Sequence, residues 1–329
     1  MNILILTSSV SPEDSADEQD TLIEAEYVRI QLSTGNNRVE IFPFTRNPME
    51  VLNKLSKFNA DMVFNLVETI GGKSAEIFKV LSLLELMDIP YTGSSSKGMM
   101  LSTDKILAKR VLKGCSISTP AMLNSIEITD EEPFSGPWIL KPSSEEGSSG
   151  FLETSVFSDW IELCNYQKKL PSHIDYMVEK FINGREFNVA VLPSENNYYC
   201  LGVSEIIFKN FPENKPRILD YKAKWEPDSF EYENTIRSFE FSPEDEILQH
   251  TLKNEAIRGI RALDIDGYCR VDFRVDENGV PYILEINANP CISPDAGFMA
   301  AAAQSSFQPD NIIHQIISQG QWRHFHGKS

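Results

Sequence analysis

Several ingredients are scarce in this 329-residue chain, and each scarcity removes a class of function. The five cysteines, Cys115, Cys164, Cys200, Cys269 and Cys291, are scattered, odd in number and never spaced C-x-x-C. Neither a disulfide framework nor a cysteine zinc site follows, and a reducing compartment is the simple expectation. Histidine is equally rare. His173, His250, His314, His324 and His326 form no H-E-x-x-H, so zinc-hydrolase chemistry is not indicated. No G-x-S-x-G supplies an esterase nucleophile. A P-loop is missing too, because Gly71-Gly72-Lys73-Ser74 has Val67 where the first glycine belongs. No apolar run approaches the roughly 20 residues of a membrane-spanning helix. The short apolar start, followed by acidic residues 11–20, lacks the pattern of a secretory leader. Positive charge is in deficit: 30 Lys and Arg against 48 Asp and Glu give −18. That balance argues against nucleic acid and membrane as partners, though not against a small anion met by a few cations. A cytoplasmic protein is expected.

At roughly 150 residues per domain, the length suggests about two domains. Residues 1–93 alternate short apolar runs (2–7, 38–42, 61–67, 89–93) with helical ones (22–32, 51–58, 76–87), the texture of βαβ units on a parallel sheet. Residues 94–98 read as a Ser/Gly linker. A helix then starts at Ser102 or Thr103 and ends before Gly114. From Trp138 the chain turns strand-rich. Residues 226–246 are acidic and read as including a mobile loop. A helix over 244–263 leads into strands at 267–275 and 280–287. A last helix spans 309–318, and the tail 321–329 is expected to fray.

The most informative segment is YCRVDFRVDENGVPYILEIN, residues 268–287. Asn278-Gly279 signals a two-residue hairpin turn. Counting back from that turn puts Asp272 opposite Glu285 and Arg270 opposite Asn287. A four-residue loop keeps this register, whereas a three-residue loop shifts it by one and sends the pairs to opposite faces. Two opposed carboxylates repel and call for a cation between them. Asp, Glu and Asn oxygens suit Mg²⁺, which binds through few protein groups plus water and phosphate oxygens. The alternative is a solvated sheet face of mixed charge. Residues 138–150, WILKPSSEEGSSG, end a strand in Lys141-Pro142 and continue into a Ser/Gly loop. Such loops offer N–H groups and hydroxyls to phosphates, and lysine adds a point charge. A plain connection is the alternative. Lys105 in the first turn of its helix and the Asp220–Trp225 cluster read, taken alone, as a surface lysine and a packed strand end.

Together these segments resemble the ATP-grasp superfamily, in its D-alanine–D-alanine ligase branch, over about residues 1–300. The motifs that carry the likeness occur in order: Phe64-Asn65-Leu66, Ile89-Pro90-Tyr91-Thr92-Gly93-Ser94, Asp104-Lys105, Lys141-Pro142 with Gly147-Ser148-Ser149-Gly150, Val178-Glu179-Lys180-Phe181-Ile182, Gly184-Arg185-Glu186, Asp220-Tyr221 through Lys224, Arg270-x-Asp272 and Glu285-x-Asn287. The resemblance implies an α/β and α+β chain with the ATP-grasp fold. It divides the chain into an N-terminal domain at 1–100, a central one at 101–184 and a C-terminal one at 185–320, with a tail at 321–329. It implies that Lys105 and Lys141 hold the phosphates of ATP, that Glu179, Lys180 and Ile182 meet the adenine, and that Glu186 meets the ribose. Ser148 and Ser149 close over the γ-phosphate and Lys224 approaches it. Asp272, Glu285 and Asn287 bind two Mg²⁺ ions, with Mn²⁺ as a substitute. Arg270 stabilises an acyl-phosphate and the tetrahedral intermediate. The implied partners are a small-molecule carboxylate and an amine, and the implied assembly is a homodimer. Alternatives are a nucleotide-binding protein without turnover and an acyl-phosphate-forming kinase.

The departures from the family's pattern fall on the amino-acid pockets. Val67-Glu68-Thr69 stands where x-H-G is usual, and Gly71-Gly72-Lys73-Ser74-Ala75 replaces G-G-E-D-G. Trp225 replaces a tyrosine. Asn289–Gly297 replaces the run that follows E-x-N, with Ala296 by count at a serine position. The expectation is therefore a ligase for a carboxylate and an amine other than two D-alanines, with a true D-alanine–D-alanine ligase as the alternative. Asp295 is either a contact for a cationic acceptor group or a helix cap.

Overall fold

The computed structural model describes residues 1–34, 36–144, 155–171, 174–194, 197–305 and 309–326. The first strand, β1 (Asn2–Thr7), is apolar from Ile3 to Leu6 because it lies at the centre of a parallel sheet and is covered on both faces. Helix α1 (Ala16–Leu32) starts six residues earlier than its apolar period suggests. Its first turn is polar, and Ser15 N donates to Glu18 Oε2 at 3.2 Å to cap it. Strand β2 (Arg38–Pro43), helix α2 (Pro48–Phe58) and strand β3 (Met62–Leu66) complete the sheet, ordered β2-β1-β3. Helix α3 (Phe78–Leu86) follows.

The expected linker at 94–98 is instead a buried junction opening helix α4 (Ser96–Thr103). Ser95 Oγ accepts from Gly98 N, and fully buried Ser94 donates from its hydroxyl to Asp266 at 3.2 Å. Small polar residues there serve close packing rather than flexibility. Helix α5 (Lys105–Gly114) begins directly after it, capped by Asp104, which accepts from Ile106 N and Leu107 N at 3.0 Å. Strands β4 (Met122–Asn124), β5 (Trp138–Pro142), β6 (Val156–Phe157) and, after helix α6 (Trp160–Gln167), β7 (Tyr176–Lys180) form an antiparallel sheet ordered β4-β7-β5-β6. It has its own core of Trp138, Leu140, Phe157, Trp160, Leu163 and Val178.

The third sheet carries the charged face. Strands β8 (Arg185–Pro193) and β9 (Tyr198–Phe208) lead into helix α7 (Tyr221–Trp225), where a strand end was expected; Asp220 caps it by accepting from Ala223 N at 2.9 Å. Helix α8 (Phe230–Asn234) and strand β10 (Thr235–Ser238) occupy the expected mobile loop. Helix α9 (Glu246–Ala262) and strands β11 (Cys269–Val275) and β12 (Pro281–Ala288) finish an antiparallel sheet ordered β10-β9-β8-β11-β12. Its apolar face packs Phe187, Val189, Val271 and Phe273 against Leu252, Ala256 and Ile260 of α9. The opposite face carries Glu186, Asn188, Arg270 and Asp272, the alternate residues of the same strands. Helix α10 (Gly297–Gln304) lies over β8 and β9. Helix α11 (Pro309–His326) buries Ile312, Ile313, Ile316 and Ile317 with residues of α1 and the parallel sheet. It runs well past residue 318. Arg323 anchors the expected tail by donating to Tyr91 O at 2.9 Å and stacking 4.3 Å from the Tyr91 ring. Among the described residues no helix is long and apolar enough to cross a membrane.

Candidate active site

The hairpin of β11 and β12 pairs Arg270 with Asn287 and Asp272 with Glu285, the expected partners reached by an unexpected route. The tip is a three-residue loop: Asp276 N donates to Val280 O at 3.1 Å and Gly279 N to Asp276 O at 3.0 Å. That tip pairs Val275 with Pro281 and Phe273 with Ile283, one residue out of the expected register. A β-bulge between Asp272 and Phe273, with Leu284 as the extra residue, restores it. Packing selects this solution, since it turns Ile283 (1% exposed) and Ile286 (2% exposed) both into the core. The bulge is held from outside the hairpin. Lys109 of α5 donates to Leu284 O at 2.5 Å, and Thr119 Oγ1 donates to Ile283 O at 2.9 Å.

Arg270 grips Asp272 with two parallel bonds, Nε to Oδ1 and Nη2 to Oδ2, both 2.8 Å. Asn188 donates to Asp272 Oδ1 at 2.7 Å and Asn287 to Oδ2 at 3.0 Å. Burial works against the charge on Arg270, yet Asp272 overcomes it and raises its proton affinity. Burial likewise works against an ionised Glu285. Lys105, Lys141, Lys224 and Arg270 outweigh burial and hold it well below the usual carboxylate range. Lys105 Nζ stands 3.5 Å from Glu285 Oε2. Lys224 of α7 has its proton affinity lowered by burial and by the neighbouring Arg270 charge.

The nucleotide-assigned carboxylates are already engaged by cations of the chain. Glu179 of β7 is 1% exposed and is pinned between Lys109 and Lys141, each 2.5 Å away. Burial would keep Glu179 protonated, but the two lysines outweigh it and lower its pKa. Burial drives Lys109 down to about 8, while Glu179 and Glu285 raise Lys141 against its own burial. Glu186 of β8 pairs with Arg274 at 2.7 Å, and burial still pushes its carboxyl above the ordinary value. Ile182 is buried and Lys180 half-buried, with Lys180 N donating to Ala121 O at 2.8 Å. Ser148 and Ser149 lie outside the described residues.

Three engaged residues received no role in the sequence reading. Lys109 sits four positions after Lys105, where its fully buried place among Ile106, Ala108 and Leu112 hides the charge. Arg274 shares strand parity with Arg270 and Asp272, which was the available signal. Asn188 reveals itself only by pairing with Asp272 across β8 and β11. As a cation site, the set is two carboxylates facing each other across a ladder rung, with the Asn287 amide two residues along β12, all offering hard oxygen donors. That donor chemistry fits Mg²⁺ with its remaining positions filled by water and phosphate. Among the described residues no cluster of three or more His, Cys, Asp or Glu side chains offers a denser alternative.

Comparison with known proteins bears on the family and the fold. Residues 120–318 match the family model described as D-ala D-ala ligase C-terminus. A D-alanine–D-alanine ligase of Carboxydothermus hydrogenoformans is 31% identical over 303 residues, covering 89% of this chain and 90% of that relative. An uncharacterised protein of Sinorhizobium fredii is 29% identical over 271 residues, covering 80% and 76%. The crystal structure of D-alanine–D-alanine ligase from Bacillus anthracis complexed with ATP superimposes with a TM-score of 0.72, covering 99% of both chains at 20% identity. The family model spans more than half of the chain and the 31% identical relative covers most of it, and the chain therefore belongs to the D-alanine–D-alanine ligase family, ATP-grasp ligases that form C–N bonds.

Proposed function

We propose that the chain joins a carboxylate to an amine other than two D-alanines, through an acyl-phosphate, with release of ADP and phosphate. The observation that carries the chemistry is the convergence of Lys105, Lys141, Lys224 and Arg270 on Glu285, beside the Asp272–Glu285 rung. Phosphoryl transfer asks a protein mainly for positioning and charge neutralisation. Lys105 and Lys141 hold phosphate oxygens, and Lys224 meets the group in flight. The donor carboxylate attacks the γ-phosphorus and ADP leaves. The amine then adds to the acyl carbon, and phosphate departs as the amide forms. Arg270 balances the negative charge that builds on the acyl-phosphate and on the tetrahedral centre. Asp272, Glu285 and Asn287 would hold Mg²⁺, which supplies charge neutralisation on the phosphates when bound. Exclusion of water protects the acyl-phosphate, a task for the segment containing Ser148 and Ser149.

The substrate reading rests on Glu68. It occupies the histidine position of the family's x-H-G and accepts a hydrogen bond from Thr21 at 3.0 Å. Burial, then Glu68 and Asp20, raise the pKa of Glu24, and Asp20 accepts from Cys291 and Ser293. An imidazole has thus been exchanged for part of an acidic patch, and a different donor is the consequence. The test is a paired screen of amino acids and amines that reads ADP release and condensed products by mass. D-Ala-D-Ala as the dominant product would overturn the substrate reading, and the names of the relatives make that the second reading. A homodimer is expected; light scattering would give twice the 37.2 kDa chain mass.

A further inference from the structure

Arg274 takes no part in the proposed reaction, yet it lies on the charged face and is only 3% exposed. Alternate rungs of β8 and β11 place three pairs on that face: Arg274 with Glu186, Asp272 with Asn188 and Arg270 with Ala190. Glu186 therefore stands about 7 Å along the strands from the Asp272 rung. Arg274 holds Glu186 by one oxygen. Nε donates to Oε2 at 3.0 Å, and Nη2 lies 2.7 Å from the same atom. Among the described residues Oε1 accepts no hydrogen bond.

The same guanidinium reaches two further segments. Nη1 donates to Gly184 O at 3.4 Å, and the guanidinium carbon stands 5.6 Å from the Phe181 ring. Phe181 and Gly184 belong to the connection between β7 and β8, which also carries Ile182. A Cβ at Gly184 would collide with Val275 O, so this close approach requires glycine. Nη2 donates to Arg217 O, and the guanidinium carbon is 5.6 Å from the Phe208 ring. Residues 209–220 form no helix or strand and lead into α7, with Arg217 three positions before the cap Asp220. Burial raises the Glu186 carboxyl, and Arg274 and Lys224 are among the charges that oppose it, which puts α7 within electrostatic reach. A purely structural role is a poor account of this arrangement. Apolar residues of similar volume often replace a buried ion pair at no loss of stability, and they need no planar fork of donors aimed at three segments.

We propose that Arg274 is a positioning residue that couples recognition of the nucleotide's sugar to the placement of Lys224. By occupying Oε2 it aims Oε1 of Glu186 at a sugar hydroxyl, the group that the family resemblance assigns to this carboxylate. By holding Arg217 O it sets the approach of α7, so that Lys224 comes to the γ-phosphate of the same nucleotide. A carboxylate oxygen accepts from a hydroxyl and gains nothing from a methylene, so the sugar is the part of the ligand that reports on Arg274. This inference rests on the ligase reading above, through its nucleotide.

The test measures binding of ATP, 2′-deoxy-ATP and 3′-deoxy-ATP to the full chain with Mg²⁺ by calorimetry, with no carboxylate or amine present. The wild type is expected to bind ATP on the order of tenfold more tightly than at least one deoxy analogue. Arg274→Met should bring that ratio below about twofold by weakening ATP, with the same analogue bound much as before. A structural role would weaken all three nucleotides alike and leave the ratio in place. Arg274→Lys has one nitrogen, which cannot serve Glu186 and Arg217 O in the geometry of the fork, and its ratio should fall between the two. Trypsin cleavage after Lys222 and Lys224 under saturating ATP, followed by mass, should quicken on the order of fivefold or more in both variants as α7 loosens. No discrimination in the wild type, an unchanged ratio in Arg274→Met or unchanged cleavage overturns the proposal. If Arg274→Met does not fold, the same two measurements on Arg274→Lys decide, and wild-type values there overturn it. A wild type that binds no nucleotide removes the ligase reading and this proposal together. The expected ratios without ADP release in the substrate screen remove the ligase reading alone.

Discussion

Glu24 and Glu179 are the same side chain at nearly the same depth, 2% and 1% exposed, yet they titrate in opposite directions. Burial penalises both charges. At Glu24 that penalty is joined by Glu68 and Asp20, against only one backbone N–H from Ile292, and the pKa rises well above the ordinary value. At Glu179 two lysines at 2.5 Å overturn the penalty, and the pKa falls. The difference teaches that depth alone does not fix ionisation in this molecule; the sign of the neighbours does. One pole gathers cations, and the other gathers acids along the N-terminal helix.

The comparison can be broken hardest at the cationic pole. Asp272→Asn or Glu285→Gln is expected to lower ADP release at least on the order of a hundred-fold, with an unchanged circular dichroism spectrum. Near-normal turnover in either would remove these carboxylates from the reaction. Next comes Lys109→Met, which leaves Glu179 with one lysine and strips the support from the Leu284 carbonyl. A loss of about 3–5 kcal/mol in urea unfolding is expected, partly recovered when Glu179→Gln is added. No recovery in the double variant would mean that the bulge, not the ion pair, bears the cost.

The pH dependence sharpens the contrast. Glu24 has a raised folded pKa, so its contribution is complete below the unfolded carboxylate value and is lost as pH rises through the folded one. Glu179 has a lowered folded pKa, so its contribution is complete above the unfolded value and is lost as pH falls. Glu24→Gln should therefore match wild type in acid and become the more stable as pH rises, by about 1.4 kcal/mol for each pH unit crossed. Parallel stability curves would show that Glu24 is not held protonated. The smallest effect is Ser293→Ala, which deletes a 2.9 Å bond to Asp20. A loss of about 0.5–1.5 kcal/mol in thermal or chemical unfolding is expected; none would mean that water replaces it.

Much of the molecule could be read from its sequence because local signals agreed with tertiary ones. The apolar runs at β1 and β3 are buried on both faces, and alternation along β11 and β12 put Arg270, Asp272, Glu285 and Asn287 on one side. The reading failed where packing overrides composition. Ser94 and Gly98 looked like a flexible link because small residues serve flexibility and close contact alike. Residues 226–246 looked mobile because an edge strand such as β10 needs little apolar content. Lys109 was invisible because a charge on an apolar helix face is legible only once its acceptors, contributed by β7 and β12, are in place.

The bulge at Leu284 has a consequence for how this enzyme tolerates change. A regular two-residue turn with no bulge, and the observed three-residue tip with one, both seat Asp272 across from Glu285. The tip is thereby insulated from the chemistry, as a slip joint insulates one length of pipe from movement in the next. Glu277 and Asn278 can vary while Asp272 and Glu285 stay aligned, whereas Gly279, with φ of 78°, holds a left-handed backbone that favours glycine. Evolution can then remodel the exposed end of this hairpin without shifting the pairing of Asp272 with Glu285.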